Sequence, residues 1–233
     1  MKNKNLTVEQ FRNLPISQDF VENPGEIDTA TPESFLYQSG YLTLRPGTTD
    51  DYALDYPNTE VLNSMSALLT ENVLSETDDD FLRCRADMLK AIMNKNNERI
   101  FEVFNRLLAS IPYDDHIKKI AKNNISDNDY EFSVQEWNYR SNILCFLRGC
   151  GIVVIAEMHT NLGRPDLVVT HKGKTYVIEI KVAYKSEDVQ KKLNEARVQI
   201  IDNQYAKPYP NSVCLAMVIN DEKRQIIECE QVN

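Results

Sequence analysis

The sequence predicts an α/β protein in which a mixed central sheet, flanked by helices, follows a mainly helical N-terminal region. Two observations predict this fold class. Apolar, β-branched segments typical of strands recur in the second half of the chain, and helical segments precede the first and separate the last two. The strand segments span 152–158, 164–170, 175–183 and 212–220, which gives the order αβββαβ.

The two helices of this second half, residues 126–233, are indicated by amphipathic and charged patterns. Residues 133–151 form an amphipathic pattern, with Ser133 as a candidate N-cap and with Gly149 and Gly151 at its end. A charged helix is expected from Ser186 to about Tyr205.

The N-terminal region, residues 1–125, is expected to contain several helices and one β-hairpin near 41–56. A short helix begins with Thr31 and Pro32 and stops at Gly40. Longer helices are predicted from Asn58, over 80–95 and over 97–110. The first of these has apolar residues three and four positions apart, namely Val61, Leu62, Met65, Leu68, Leu69 and Val73.

Composition and charge exclude several classes of protein. The 233 residues are 42% hydrophobic, with no apolar run long enough to span a membrane and no signal-peptide start, so we expect a cytoplasmic protein. The five cysteines form no C-x-x-C pair, which argues against a disulfide framework or a zinc cluster.

The net charge of -9 is carried by residues 1–130, which have 13 basic and 22 acidic residues, whereas residues 131–233 have 13 of each. A neutral second half permits nucleic-acid binding, although it lacks the excess of basic residues that is typical of nucleic-acid-binding domains. The acidic helical region is a candidate surface for a protein partner.

The segment GRPDLVVTHKGKTYVIEIKV, residues 163–182, places charged residues within two apolar strands. If Lys172 and Gly173 form a two-residue turn, Asp166 lies opposite Glu179. Because side chains alternate across a strand, Asp166, Glu179 and Lys181 share one face, and the apolar residues fill the other.

Two opposed carboxylates repel each other unless a positive charge lies between them. Asp and Glu oxygens are the hard ligands that Mg²⁺ prefers, so Asp166 and Glu179 are candidate ligands of a divalent cation. Lys181, two residues beyond Glu179, could hold or help to deprotonate a metal-bound water. This chemistry is that of phosphodiester hydrolysis.

Two other interpretations of the charged residues remain open. The three residues Asp166, Glu179 and Lys181 could form a salt-bridge triad on an exposed sheet face, worth about 0 to 1 kcal/mol per pair. The helix and hairpin at 31–56 could be a winged-helix DNA reader, although the hairpin acids Asp50, Asp51 and Asp55 would then face phosphates.

The segment GRPD followed by EIK, in the order αβββαβ, resembles the PD-(D/E)XK nuclease superfamily. The resemblance implies a restriction-endonuclease-like core, a Mg²⁺ or Mn²⁺ cofactor, and a nucleic-acid substrate, with DNA expected. It implies Asp166, Glu179 and the Ile180 carbonyl as metal ligands and Lys181 as the catalytic lysine. It also suggests Glu136 on the first helix and Gln199 on the second. Glu157, near the end of the first strand, is the alternative to Glu136.

A longer resemblance, which includes Tyr205-Ala206-Lys207-Pro208-Tyr209 after the second helix, is to a family of bacterial proteins. In these proteins a similar nuclease-like domain is joined to an AAA-ATPase-like region. Residues 1–125 resemble the linker that follows that ATPase part. The chain lacks the phosphate-binding motif G-x-x-x-x-G-K-[ST], since Gly173-Lys174-Thr175 matches only its last three positions. We therefore expect no ATP binding. The alternative function is an inactive nuclease-fold module that binds protein or nucleic acid.

Overall fold

The computed structural model describes residues 8–22, 31–47, 52–74, 78–111, 128–156, 163–185 and 188–232, without the side chains of 78–79 and 128–134. Within these ranges, no helix has the length and apolarity needed to cross a membrane.

The first half of the described chain is mainly helical, as predicted. Its helices are a 3-10 turn (Val8–Phe11), α1 (Gln18–Glu22), α2 (Pro32–Gln38), α3 (Thr59–Leu74), α4 (Asp78–Met93) and α5 (Asn97–Ser110). The predicted hairpin is formed by β2 (Thr43–Pro46) and β3 (Tyr52–Asp55). A strand that the sequence did not predict, β1 (Leu14–Ile16), pairs with β3 and completes a small antiparallel sheet.

The second half contains a five-stranded mixed sheet in the order β4-β5-β6-β7-β8. Its elements are α6 (Asn128–Gly149), β4 (Val153–Ala156), β5 (Leu167–His171), β6 (Lys174–Ala183), α7 (Val189–Asp202), β7 (Val213–Asn220) and β8 (Gln225–Val232). Among the strands that the structure describes, only β6 and β7 pair in parallel, and α7 supplies the crossover that a parallel pair requires. The order αβββαβ is confirmed, and β8 extends it.

The α6 helix starts earlier than the sequence predicted. It begins at Asn128, so Ser133 lies inside the helix and its prediction as N-cap is wrong.

The predicted register of β5 and β6 is confirmed, since Leu167 pairs with Ile178 and His171 with Lys174. The predicted apolar face is also confirmed, because its members all lie in the largest hydrophobic core: Leu167, Val169, Tyr176, Ile178, Ile180 and Val182. The opposite face is covered as well, where Val177 packs in a second core with Ala196 and Ile200 of α7. The sheet therefore offers no exposed face for a surface salt-bridge triad among the described residues.

The N-terminal helices pack directly on the second half of the chain. The largest core contains Met88 of α4 and Phe104 of α5 together with the strands of the large sheet. A Cβ added to Gly149 of α6 would lie 2.9 Å from the backbone of Ala67 in α3, so these helices touch where only glycine fits. The proposed boundary at residues 125/126 thus lies between two parts that share a core.

The predicted apolar face of α3 is wrong at one residue. Leu68 is 49% exposed, whereas the small polar residues Ser66 and Thr70 are buried. Thr70 Oγ1 donates a 2.7 Å hydrogen bond to the Ser66 carbonyl, which satisfies its hydroxyl inside the core. Close contact with α6 selects small residues at this face, and apolar spacing alone does not reveal it.

Candidate active site

The acids Asp166 and Glu179 lie on adjacent strands, Asp166 just before β5 and Glu179 in the middle of β6. Asp166 directly precedes Leu167, the first residue of β5, which pairs with Ile178 of β6. The Asp166 Oδ2 atom accepts a 2.8 Å hydrogen bond from the backbone N–H of Ile180. Asp166 is 7% exposed and Glu179 is 1% exposed. The hairpin therefore holds two buried carboxylates close to each other.

Glu179 is incompletely satisfied in this position. Its Oε1 accepts a 2.8 Å hydrogen bond from Lys181 Nζ, but its buried Oε2 has no hydrogen-bond partner in the described part of the chain. Burial, followed by the negative charge of Asp166, raises the pKa of Glu179 to about 7, and Lys181 opposes this shift. A buried oxygen without a partner is costly, which makes this atom a candidate ligand for a cation.

Lys181 carries a firmly held positive charge beside these acids. Burial alone would lower its pKa, but Glu179, with Glu136 and Asp166, outweighs burial and leaves the pKa of Lys181 raised. Its Nζ also lies 3.9 Å from Glu136 Oε1 on α6. Lys181 is therefore an ammonium group that can donate hydrogen bonds, rather than a neutral base.

The α6 helix places one acidic and one positively charged side chain beside Asp166 and Lys181. Glu136 is buried enough that its pKa is raised, with Lys181 opposing and Asp166 adding to the shift. One turn further along, Arg140 Nη1 donates a 2.8 Å hydrogen bond to Asp166 Oδ1. Glu136 also feels the charge of Lys192 on α7. Helices on both sides of the strand ends thus complete a mixed-charge cluster.

Gln199 contacts a tyrosine rather than the acids. Its Nε2 donates a 3.2 Å hydrogen bond to the Tyr205 hydroxyl, which also accepts one of 3.1 Å from Asn203. The Tyr205 hydroxyl donates in turn to the Arg164 carbonyl at 3.0 Å. A Cβ on Gly163 would meet the Asn203 side chain at 2.8 Å and the Tyr205 ring at 2.9 Å. This network supports the segment that leads into Asp166.

A family model described as the PD-(D/E)XK nuclease superfamily matches residues 134–229. The matched range contains all of the charged cluster, from Glu136 on α6 to Lys192 on α7, and also Gln199. These residues belong to the PD-(D/E)XK nuclease superfamily. The superfamily fold is that of a nuclease, and its members generally use divalent metal ions.

A curated relative extends the similarity beyond the superfamily region. The chain is 27% identical over 188 residues to a protein of Azotobacter chroococcum mcd 1 named "Uncharacterized protein in vnfD 5'region". The match covers 79% of this chain and 33% of that protein, so the chain spans about a third of the length of this relative.

The donor atoms of this PD-(D/E)XK site fit a hard divalent cation. Asp166 and Glu179 supply carboxylate oxygens, and the Glu179 Oε2 atom is the buried oxygen without a partner. The N–H and C=O of one strand residue point to the same side, so the Ile180 carbonyl faces the side on which Asp166 lies. Among the described side chains, no three His, Cys, Asp or Glu residues form a ready-made metal-binding group. Backbone and water oxygens would therefore have to complete the coordination.

Sequence reasoning missed two members of the PD-(D/E)XK site region. Arg140 had a signal, because it lies four residues after Glu136 and hence on the same helix face. Tyr205 belongs to the segment that carries the family resemblance, but its contact with the Arg164 carbonyl could not be predicted, since it depends on how α7 ends against the loop before β5. The alternative acid Glu157 lies outside the described residues.

Proposed function

We propose that residues 126–233 act as a metal-dependent nuclease that hydrolyses phosphodiester bonds in nucleic acid, with DNA as the expected substrate. The observation that carries the proposal is the buried Glu179 Oε2 atom, which lacks a partner beside Asp166 and Lys181. Buried, unsatisfied charge with a strongly perturbed pKa is typical of functional sites.

In this proposal Asp166, Glu179 and the Ile180 carbonyl hold Mg²⁺ or Mn²⁺. When bound, the cation would polarise the phosphate and lower the pKa of a coordinated water. The Ile180 N–H fixes the Asp166 carboxylate. Protonated Lys181 would orient the attacking oxygen or neutralise charge that develops on the phosphate.

Glu136 and Gln199 have different proposed roles. Glu136, 3.9 Å from Lys181 Nζ, would keep that ammonium group near Glu179 and could bind the cation through water. Gln199 would act indirectly, because its described contact is the Tyr205 hydroxyl that supports the loop before Asp166.

Cleavage of plasmid DNA and of labelled oligonucleotides tests this function. Purified chain should cut in Mg²⁺ or Mn²⁺ and not in EDTA, and Lys181→Ala should lower the rate by about 100-fold or more. Lys207→Ala is the matched control, because Lys207 is exposed and contacts Gln204. Equal rates for Lys181→Ala and the wild type would contradict the proposed mechanism and point to a contaminating nuclease.

A second candidate function is a nuclease-fold module that binds protein or nucleic acid without cleavage. The observation that favours it is that each acid already has a cation from the chain, with Arg140 on Asp166 and Lys181 on Glu179. Calorimetry with Mg²⁺ and Mn²⁺ separates the candidates, because a folded protein that takes up neither ion at millimolar concentration would be a binding module.

We propose the cytoplasm as the location of the protein and the acidic N-terminal region as the surface for a protein partner. All five cysteines are free, which is usual in a reducing compartment. No membrane partner and no ATP are proposed.

A further inference from the structure

Arg140 contacts the Asp166 oxygen that a metal ion would need. Asp166 Oδ2 already accepts from the Ile180 backbone, so Oδ1 is the oxygen that can change its partner. Arg140 Nη1 lies 2.8 Å from this Oδ1, and the two side chains are only 15% and 9% exposed. A guanidinium thus fills part of the first coordination sphere that the proposed function assigns to a cation.

The Arg140 guanidinium and a divalent metal ion cannot both contact this oxygen without a large electrostatic cost. An arginine side chain stays charged in proteins, so it cannot yield by losing a proton. A divalent ion beside a buried guanidinium would be repelled strongly, because screening is weak away from solvent. The backbone N–H of Ile180, by contrast, can stay on Oδ2 whichever cation is bound, and it keeps the carboxylate in place.

We propose that Arg140 is the internal counter-ion of Asp166 in the metal-free protein and that a divalent cation displaces it on binding. This inference rests on the proposed metal site. The long arginine side chain can move while α6 stays in place, because α6 is one helix over Asn128–Gly149. The displaced guanidinium would add its charge to that of the cation and would favour the arrival of an anionic phosphodiester. Arg140 is thus a positioning residue for Asp166 that also sets metal affinity.

Calorimetric titration of the full chain with Mn²⁺ tests the exchange without measuring cleavage. Arg140→Met should bind Mn²⁺ at least about tenfold more tightly than the wild type, because the competing charge is gone. Arg148→Met is the matched control, because Arg148 lies on the same helix, is buried and pairs with Glu9. This control should bind Mn²⁺ as the wild type does.

Thermal unfolding with EDTA and with Mn²⁺ separates the exchange from a structural role. Both variants should unfold at a lower temperature in EDTA, because each leaves a partly or wholly buried carboxylate without its arginine. Mn²⁺ should raise the midpoint of Arg140→Met more than that of the wild type, and should shift Arg148→Met no more than the wild type. If Arg140→Met does not fold in EDTA, Arg140→Gln keeps an N–H donor for Asp166 and should show the same tighter binding.

The outcomes distinguish this inference from the proposed function. Tighter Mn²⁺ binding by Arg140→Met or Arg140→Gln supports the exchange, even where the wild type binds too weakly to measure. Equal or weaker binding by those variants, with measurable binding by the wild type, overturns the exchange and leaves the metal site standing. If neither the wild type nor the variants bind Mn²⁺, both the exchange and the metal site are wrong.

Discussion

Two clusters of charged side chains differ in burial, one on the surface between α4 and α5 and one inside the protein at the start of β5. In the surface cluster Asp87 Oδ2 accepts 2.8 Å hydrogen bonds from both Arg99 and Arg106, and the pKa of Asp87 is lowered, chiefly by Arg106. In the buried cluster burial and a neighbouring acid raise the pKa of Glu179 to about 7. The same kinds of side chain are thus shifted in opposite directions.

The difference follows from the number of acids and from access to water. The surface cluster sets two arginines against two acids, Asp87 and Glu102, where water solvates the remaining charge, so the Asp87 carboxylate is easy to ionise. The buried cluster brings Asp166 and Glu179, which are out of water, together with the half-buried Glu136. Such an arrangement costs stability, and proteins keep costly charge mostly where function requires it.

Exchange of one aspartate in each cluster should produce the largest contrast. Asp166→Asn should lower metal-dependent DNA cleavage by about 100-fold or more, because the amide is a poor ligand for the cation. Asp87→Asn should leave cleavage unchanged within about twofold, as for a surface pair. Single-turnover cleavage rates in Mg²⁺ measure both. Similar losses in the two variants would mean that the clusters do not differ in function.

The pH dependence of stability should have opposite signs in the two clusters. The folded-state pKa of Glu179 lies above its ordinary value of 4.5, so its contribution is fully present below about pH 4.5 and is lost as the pH rises to about 7. The loss should reach about 3 kcal/mol in EDTA. Asp87, whose pKa is lowered from 3.8, should contribute above that pH and lose its contribution in more acidic solution.

Urea unfolding of the wild type, Glu179→Gln and Asp87→Asn at a series of pH values measures these slopes. Each difference between the wild type and a variant removes the titrations that the substitution leaves unchanged. If the Glu179→Gln difference is flat between pH 4.5 and 7, Glu179 is not perturbed as described.

The clusters also differ in their support, because the surface cluster lies on helices and the buried one follows the loop 163–166. Gly163→Ala should cost about 1–3 kcal/mol and lower cleavage, since its Cβ would lie 2.8 Å from Asn203 Cγ at a φ of +144°. Gly173→Ala is the matched control, with a positive φ of +77° but open space around it. It should cost only about 1–2 kcal/mol of backbone strain and leave cleavage intact.

Unfolding and cleavage assays on the two glycine variants measure both effects. Equal cleavage rates would mean that the loop before Asp166 adjusts without disturbing the acids.

The sequence predicts the buried acids better than it predicts their surroundings. A two-residue turn fixes the register of β5 and β6, and alternation then places Asp166, Glu179 and Lys181 together. These rules are local, so they hold without knowledge of the rest of the fold. The same rules say nothing of what covers that face, which is why α7 packing on Val177 was not expected.

Contacts between distant elements explain the remaining differences. Arg140 meets Asp166 only because α6 crosses the strand ends, and Arg99 meets Asp87 only because α4 and α5 are antiparallel neighbours. In each pair the arginine lies on a helix, Arg140 on α6 and Arg99 on α5, and its local sequence does not reveal its partner. The small polar residue Ser66 is buried for a similar reason, because α6 approaches α3 closely there.

The smallest expected difference between the clusters is the effect of salt on the stability lost when an arginine is replaced by methionine. Added salt shortens the Debye length from about 14 Å at 0.05 M to about 4 Å at 0.5 M, which screens exposed charges far more than buried ones. The stability lost in Arg106→Met should start below about 1 kcal/mol and approach zero at the higher concentration. The loss in Arg140→Met, measured by urea unfolding in EDTA, should persist, because its Asp166 partner is out of water. General salt effects on folding cancel when each variant is compared with the wild type at the same concentration. A parallel decrease in both losses would show that water reaches the Arg140–Asp166 pair, and the contrast between the clusters would then reflect charge number rather than burial.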